Sequence, residues 1–282
     1  MPLKVGAVLA PTATSSGDGA RAVLRARLQV FADALGDAAN LPTEPYDFDD
    51  YPSLLSAIYD GSVDIGWLPP LVAMRAAGGG RAIPIALPVR RGISSFHAAL
   101  FSAVGSPIVR PPDLSGVRAA WVDRQSASGY LVVRAALRAQ GVELSRAFKE
   151  DKFLGSHDAV VKAVLSGHAD VGATYLHHDA RGSGAWRAGW GSANVNVVAR
   201  VGPIPNDVIA AGVHVPVKRI RLVRQVLTDR EHPELVRAGA ELLEADEFLT
   251  VESEHLKALE DLLDFLEDAA RPWRKSTPPP SG

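Results

Sequence analysis

Twice along the chain, short apolar runs alternate with stretches whose apolar residues recur every three or four positions, and few folds accommodate that alternation. The first series runs roughly from Leu3 to Val89 and the second from Val117 to Val201. LKVGAVLA reads as a strand that stops at the loop PTATSSGDG. From Ala20 to Leu35, the residues Leu24, Leu28, Phe31 and Leu35 fall at helical spacing, and Gly36 is read as the stop. Asp50 to Asp60 gives a short helix with Leu54, Leu55 and Ile58 inward and Gly61 closing it. VDIGWL is a short buried strand, Pro69 and Pro70 open another helix, Gly78 to Gly80 form a loop, and AIPIALPV is extended. In the second series FHAALFSA is a strand, followed by a loop and the strand that ends at AAWVD. SASGYLVVRAALRAQG is a helix closed by Gly141, GSHDAVVKAVLSG a second one closed by Gly167, and ADVGATY and SANVNVVARV are strands. GPIPND is read as a turn before the extended VIAAGVHVP, and the pattern beyond Val217 is wholly helical.

Strands alternating with helices build an α/β fold on mostly parallel sheets. Two series imply two lobes, expected at 1–95 with 210–270 and at 96–209, joined by two crossing strands, FHAALFSA and VIAAGVHVP. The C-terminal helices return to the first lobe, a cleft between the lobes is the favoured ligand position, and 271–282 is read as a disordered tail. Composition narrows the function classes. A net charge of −2 without a basic run argues against nucleic acid. With no cysteine in the chain, disulfides, zinc-thiolate sites and thiol nucleophiles are excluded. No run approaches the ~20 apolar residues that span a bilayer, and MPLKVGAVLAP is too short for a secretory leader. The expectation is a soluble monomer without membrane insertion, cytoplasmic as written and periplasmic if a leader has been removed.

Three stretches carry candidate chemistry. In DRQSASGYLVVRAAL, Ser126, Ala127, Ser128 and Gly129 sit at a helix start. The first four amides of a helix lack intrahelical acceptors and lie at the positive end of its dipole. Ser126 and Ser128 add hydroxyl donors, and Gly129 lets a ligand approach the backbone. Such a corner suits a tetrahedral oxyanion, although on this stretch alone the plain N-cap is the favoured reading of Ser126. GSHDAVV repeats the arrangement with Ser156 and His157, and GPIPND presents Asp207 before a crossing strand. Tyr51 and Trp67 place aromatic rings at element ends in the first lobe, where core packing is the alternative. There is no G-x-S-x-G elbow and no Walker A loop, and the triple glycine at Gly78 lacks the strand–helix context of a dinucleotide site. His177 and His178 are adjacent, so on a strand they point apart and do not form a metal pair. No cofactor is expected.

Together, DYPSLLSAIYDGSVDIGW, DRQSASGYLVVRAAL, GSHDAVVKAVLSGHADVGA and GPIPND resemble, in order and spacing, the phosphonate-binding component of phosphonate/phosphate ABC importers, over roughly Val5 to Val215. The resemblance implies a two-lobed type 2 periplasmic-binding-protein fold with two hinge strands and an interlobe ligand cleft. It implies that Ser126 and Ser128, with the amide of Ala127 between them, bind phosphonate oxygens, and that His157 and Tyr51 join them. Ala127 stands where the family often has threonine. The turn carboxylate corresponds to Asp207. His177 lies near the position where binders of aminoalkylphosphonates carry an acid, and Phe96 replaces a second tyrosine. Gly129, Ser156, Trp67 and, in the loop after the first strand, Thr12 complete the candidate pocket. The implied cargo is phosphate, phosphite or a phosphonate, and the implied partner an ABC permease. Two alternatives use the same fold: a cytosolic enzyme similar to chorismate dehydratases, with Asp207, His157 and His177 as acid–base groups, or a cytosolic sensor read by a protein partner.

Overall fold

The computed structural model describes residues 1–9, 18–178 and 185–252, with His255, Asp261 and Asp264. Thr12 and the tail 271–282 lie outside the described residues. The chain forms, in order, β1 (Leu3–Val8), α1 (Asp18–Ala39), β2 (Thr43–Phe48), α2 (Tyr51–Asp60), β3 (Ile65–Leu68), α3 (Pro70–Gly78) and β4 (Ala82–Val89). There follow β5 (Ser95–Ala103), β6 (Val117–Trp121), α4 (Val132–Ala139), α5 (Leu144–Ala147), β7 (Phe148–Phe153), α6 (His157–Leu165), β8 (Val171–His178), β9 (Ala185–Ala188) and β10 (Val195–Pro205). The chain closes with β11 (Val208–Gly212), α7 (Val217–Thr228), α8 (Pro233–Leu243) and β12 (Glu247–Thr250). The strands make two sheets, one in the order β12-β4-β11-β3-β1-β2 and one in the order β10-β5-β8-β6-β7, with β9 paired to β8.

Both sheets are built around parallel pairs, as the alternation requires. In the first, Leu3 pairs with Thr43 and Val5 with Ile65. In the second, Ala120 pairs with Lys152 on β7 and with Gly172 on β8. Leu3, Val5, Leu28, Phe31 and Leu35 are buried with Leu235 and Leu242 in the first core, so α1 and the C-terminal helices cover one face of that sheet. Leu100, Val117, Trp121, Val132 and Leu137 fill the second core. Parallel strands place their carboxyl ends along one edge, and ligands of such sheets bind in the crevice outside that edge. Val8, Phe48 and Leu68 end on that edge in the first sheet, and Trp121 and Phe153 in the second.

Four readings of the sequence are corrected. α1 does not stop at Gly36 but runs to Ala39. A Cβ on Gly36 would lie 2.7 Å from the Leu41 carbonyl oxygen, so this glycine serves a close approach of chain. GPIP is not a turn: it is the end of β10, whose register against β5 shifts between Val201 and Ile204. The segment beyond Val217 is not wholly helical, because β12 pairs antiparallel with β4. VIAAGVHVP is extended only to Gly212. The chain passes between the sheets at 90–94 and at 206–207, since β5 pairs only in the second sheet and β11 only in the first. These two passages are stitched side by side: Asn206 donates from its amide to Ser94 O (2.8 Å) and from Nδ2 to Pro88 O (2.9 Å) and Ile93 O (3.1 Å).

Candidate functional site

The DRQSASGYL stretch opens with one π-helical turn, Ala127–Leu131, that leads into α4. Ser126 is its N-cap: Oγ accepts from the Gly129 amide at 3.0 Å, and the Ser126 carbonyl accepts from Leu131 N at 3.0 Å. The capping reading of Ser126 therefore holds, and it leaves the serine O–H free to donate outward. The amides of Ala127 and Ser128 have no backbone acceptor among the described residues. Gly129 is needed for packing, since a Cβ there would run into Val122 and come 2.7 Å from Ser126 Oγ. Ser128 is only 5 % exposed, whereas Ser126 and Ala127 are half-buried, so the corner is reached from the Ser126 side.

The second helix start lies against the first because the strands ahead of them are neighbours. Leu154 N donates to Trp121 O at 2.9 Å and Gly155 N to Val122 O at 2.8 Å. Gly155 takes φ +79°, which turns the chain into Ser156, and Ser156 Oγ caps α6 by accepting from Ala159 N at 3.2 Å. His157 follows at once. Its Nδ1 lies 2.9 Å from Thr174 Oγ1, and its ring packs edge-on to Tyr175 at 5.0 Å. Burial pulls its pKa down to about 4, against the opposing pull of Asp123 and Asp158, so the imidazole is neutral at pH 7.

From His157 a line of rings runs along β8 and onto β5: Tyr175 to His177 at 5.6 Å, then His177 to Phe96 at 5.5 Å. His177 is 9 % exposed, and its pKa is also about 4, lowered by burial first and then by Arg90 and Arg187. His178 turns to the other face, against His97 at 5.3 Å and 3.1 Å from Arg200, as expected of neighbours on a strand. Among the described residues, no group of three or more His, Cys, Asp or Glu side chains is placed to hold a metal ion.

The first lobe supplies Tyr51, Trp67 and, from the second passage, Asp207. Asp50 caps α2 by accepting from Ser53 N at 2.8 Å, which fixes Tyr51 as the first helical residue. The Tyr51 hydroxyl is pushed upward in pKa by burial and then by the carboxylates of Asp207 and Asp123, so it stays protonated. Asp123, two residues past β6, also acts on His157, so the charge of one carboxylate reaches both Tyr51 and His157. Asp207 is 28 % exposed in its side chain; burial raises its pKa, and Arg90 and Trp67 oppose that rise. The Arg90 guanidinium sits 3.4 Å from Asp207. The indole Nε1 of Trp67 is buried without a partner in hydrogen-bond geometry among the described residues. A further ion pair, Arg187 to Glu244, spans from β9 to the end of α8, and the Arg187 guanidinium lies 5.4 Å over the Tyr175 ring.

The helix start at Ser126–Gly129 thus neighbours the one at Ser156 and His157, and ring contacts link His157 through Tyr175 and His177 to Phe96, while Tyr51 and Trp67 belong to the first sheet's side and Asp207 to the second passage. Sequence reasoning missed Arg90, Asp123, Thr174, Tyr175 and Arg187. The strand ADVGATYLHH alternates Tyr175 with Leu176 and Thr174, and that alternation was the only local signal available.

The two neutral histidines have a measurable consequence. An unfolded histidine binds its proton near pH 6.5, whereas folded His157 and His177 do so near 4. Between these values the unfolded chain holds more protons, so their contribution to stability is complete above ~6.5 and is lost as pH falls towards 4. Thermal melts are expected to show a lower midpoint at pH 5 than at pH 7, with a smaller difference in His157→Gln. An unchanged difference in that variant contradicts the assignment.

A family model described as "ABC transporter, phosphonate, periplasmic substrate-binding protein" matches residues 18–256. XAC2383 from Xanthomonas citri, in a structure bound to ATP, is 20 % identical, with 95 % of this chain and 97 % of that one covered and a TM-score of 0.75. PhnD1 from Prochlorococcus marinus, in complex with methylphosphonate, is 19 % identical, covering 94 % and 98 %, with a TM-score of 0.67. A binding-protein component of a phosphonate ABC transporter from Pseudomonas aeruginosa (PA3383) is 18 % identical, covering 95 % and 87 %, with a TM-score of 0.71. Among the described residues, no helix is long and apolar enough to cross a membrane. With the type 2 periplasmic-binding-protein fold in place and the family model matched over most of its length, this chain belongs to the phosphonate periplasmic substrate-binding proteins of ABC transporters.

Proposed function

We propose that the chain closes on a small phosphonate- or phosphate-like oxyanion at the paired helix starts and delivers it to an ABC permease, without covalent chemistry. The observation that carries this reading is the pair of neighbouring helix starts: the amides of Ala127 and Ser128, without a backbone acceptor among the described residues, and the Ser126 hydroxyl at one, and the neutral ring of His157 at the other. In this reading Tyr51, whose hydroxyl stays protonated, donates to the oxyanion from the first lobe. Hydrogen bonds to a charged group contribute ~1.5–3 kcal/mol each, and micromolar affinity needs ~8 kcal/mol, so four or five such donors suffice. In this reading the lobes 1–95 with 210–270 and 96–209 move about the passages at 90–94 and 206–207, and ligand contacts from both sides favour the closed state.

The same geometry sets the ligand's other end. The Asp207 carboxylate is already shared with Arg90, and His177 is a neutral ring where a carboxylate would hold an ammonium group. An amine on the ligand therefore gains little. Calorimetry is expected to give methylphosphonate and 2-aminoethylphosphonate affinities within about tenfold of each other. A preference for the amine greater than that contradicts the distal reading. No raised melting temperature with phosphate, phosphite, methylphosphonate or ethylphosphonate overturns the oxyanion reading itself.

A further inference from the structure

We propose that Thr174 is a positioning residue that fixes His157 in the tautomer with its proton on Nε2, and so makes a neutral histidine a donor to the bound oxyanion. The proposal rests on the oxyanion reading for its consequence, and on geometry for its mechanism. Thr174 lies on β8 and is 0 % exposed. Its Oγ1 is 2.9 Å from His157 Nδ1, and among the described residues this is its one side-chain partner.

Two arrangements satisfy that distance. If Nδ1 carried the proton, it would donate to Oγ1, and the threonine O–H would be left buried without an acceptor. If Oγ1 donates its proton to the Nδ1 lone pair, both buried atoms of the contact are satisfied, and the ring proton must sit on Nε2. Buried polar groups are strongly biased to be satisfied, which selects the second arrangement. The partner of one ring nitrogen then decides the chemistry of the other. Nε2 has no hydrogen-bond partner among the described residues, while the ring is held in place by Tyr175 at 5.0 Å.

Space for this contact is made by Gly189, which follows β9 and donates its amide to Tyr175 O at 3.1 Å. A Cβ on Gly189 would overlap Thr174 Oγ1 and lie 2.9 Å from Thr174 Cβ. The glycine therefore allows the hydroxyl to stay where it reaches His157. The opposite tautomer would present a bare nitrogen lone pair to the anion and repel it.

The test uses the full chain. Long-range ¹H–¹⁵N correlation spectra at pH 7 read the tautomer directly without ligand, and calorimetry with methylphosphonate reads its effect. Wild type is expected to show His157 protonated on Nε2. Thr174→Val, which keeps the shape and removes the donor, is expected to show a mixture of tautomers and about tenfold weaker binding. Thr174→Ser is expected to restore the Nε2–H form and binding within about twofold. A wild-type ring protonated on Nδ1, or a Thr174→Val protein with both tautomer and affinity unchanged, overturns the proposal. Should Thr174→Val fail to fold, the wild-type and Thr174→Ser spectra decide between the same outcomes. If wild type shows the Nε2–H form and loses it in Thr174→Val but does not bind methylphosphonate, the positioning stands and the oxyanion reading fails.

Discussion

Ser126→Asp is expected to remove phosphonate binding by a factor of a hundred or more while leaving the melting temperature within a few degrees of wild type. Aspartate is as good an N-cap as serine, so the bond accepted from Gly129 N, now 3.0 Å from Ser126 Oγ, survives the change. Its carboxylate, however, sits where the anion is to dock. Two unit charges ~4 Å apart repel by about 4 kcal/mol at an effective dielectric of ~20, far more than the ~1.4 kcal/mol that makes a tenfold difference. Ser126→Asn keeps the cap without the charge and is expected to lose less than about tenfold. Calorimetry with methylphosphonate on the three proteins separates charge from fold. A Ser126→Asp protein that binds like wild type places the ligand elsewhere.

The second large effect falls on stability. Arg90 is 8 % exposed at the first passage between the sheets. It donates from Nε and Nη2 to the Leu243 carbonyl at 3.1 and 2.9 Å and from Nη2 to Asp207 at 3.4 Å. One side chain thus ties both passages to the end of α8. Arg90→Met fills the space but strands the Leu243 carbonyl and leaves Asp207 without its cation. Breaking one side of a buried pair costs about 3–5 kcal/mol, and each kcal/mol lowers the midpoint by roughly 2–4 °C in a chain of this size. A fall of about 10 °C is expected by scanning calorimetry. Asp207→Asn in the Arg90→Met background removes the stranded charge and is expected to recover part of the loss, the sign of direct coupling. A midpoint within 2 °C of wild type for Arg90→Met contradicts this account of the hinge.

The interior strands were legible, as was β10 at an edge, and the more polar edge strands were not. LKVGAV, VDIGWL and ADVGATY carry apolar runs because neighbours cover them on both sides. TEPYDF, FKEDKF and EFLT escaped notice as strands β2, β7 and β12, and each is an edge strand of its sheet. Edge strands carry charge and polar residues that blunt pairing with other chains, so their composition hides them. Helix starts were legible because capping chemistry is local: Asp50, Ser126 and Ser156 each accept the amide three residues on. Gly36 misled because a glycine needed for close approach looks, in sequence, like a glycine that ends a helix.

The candidate site divides the same way. Ser126 to Gly129 and His157 could be picked out because a helix start is itself the binding device. Thr174 and Arg90 could not, since their partners lie 17 and 117 residues away in sequence. Asp207 was read as a turn carboxylate of the pocket; its pairing with Arg90 is a product of the two passages lying side by side.

A crystal structure grown with methylphosphonate tests the central claim most directly. The account predicts phosphonate oxygens ~2.7–3.1 Å from the amides of Ala127 and Ser128, from Ser126 Oγ and from His157 Nε2, with Tyr51 closing from the other lobe. A phosphonate seated away from residues 126–129, with those amides facing water alone, contradicts it.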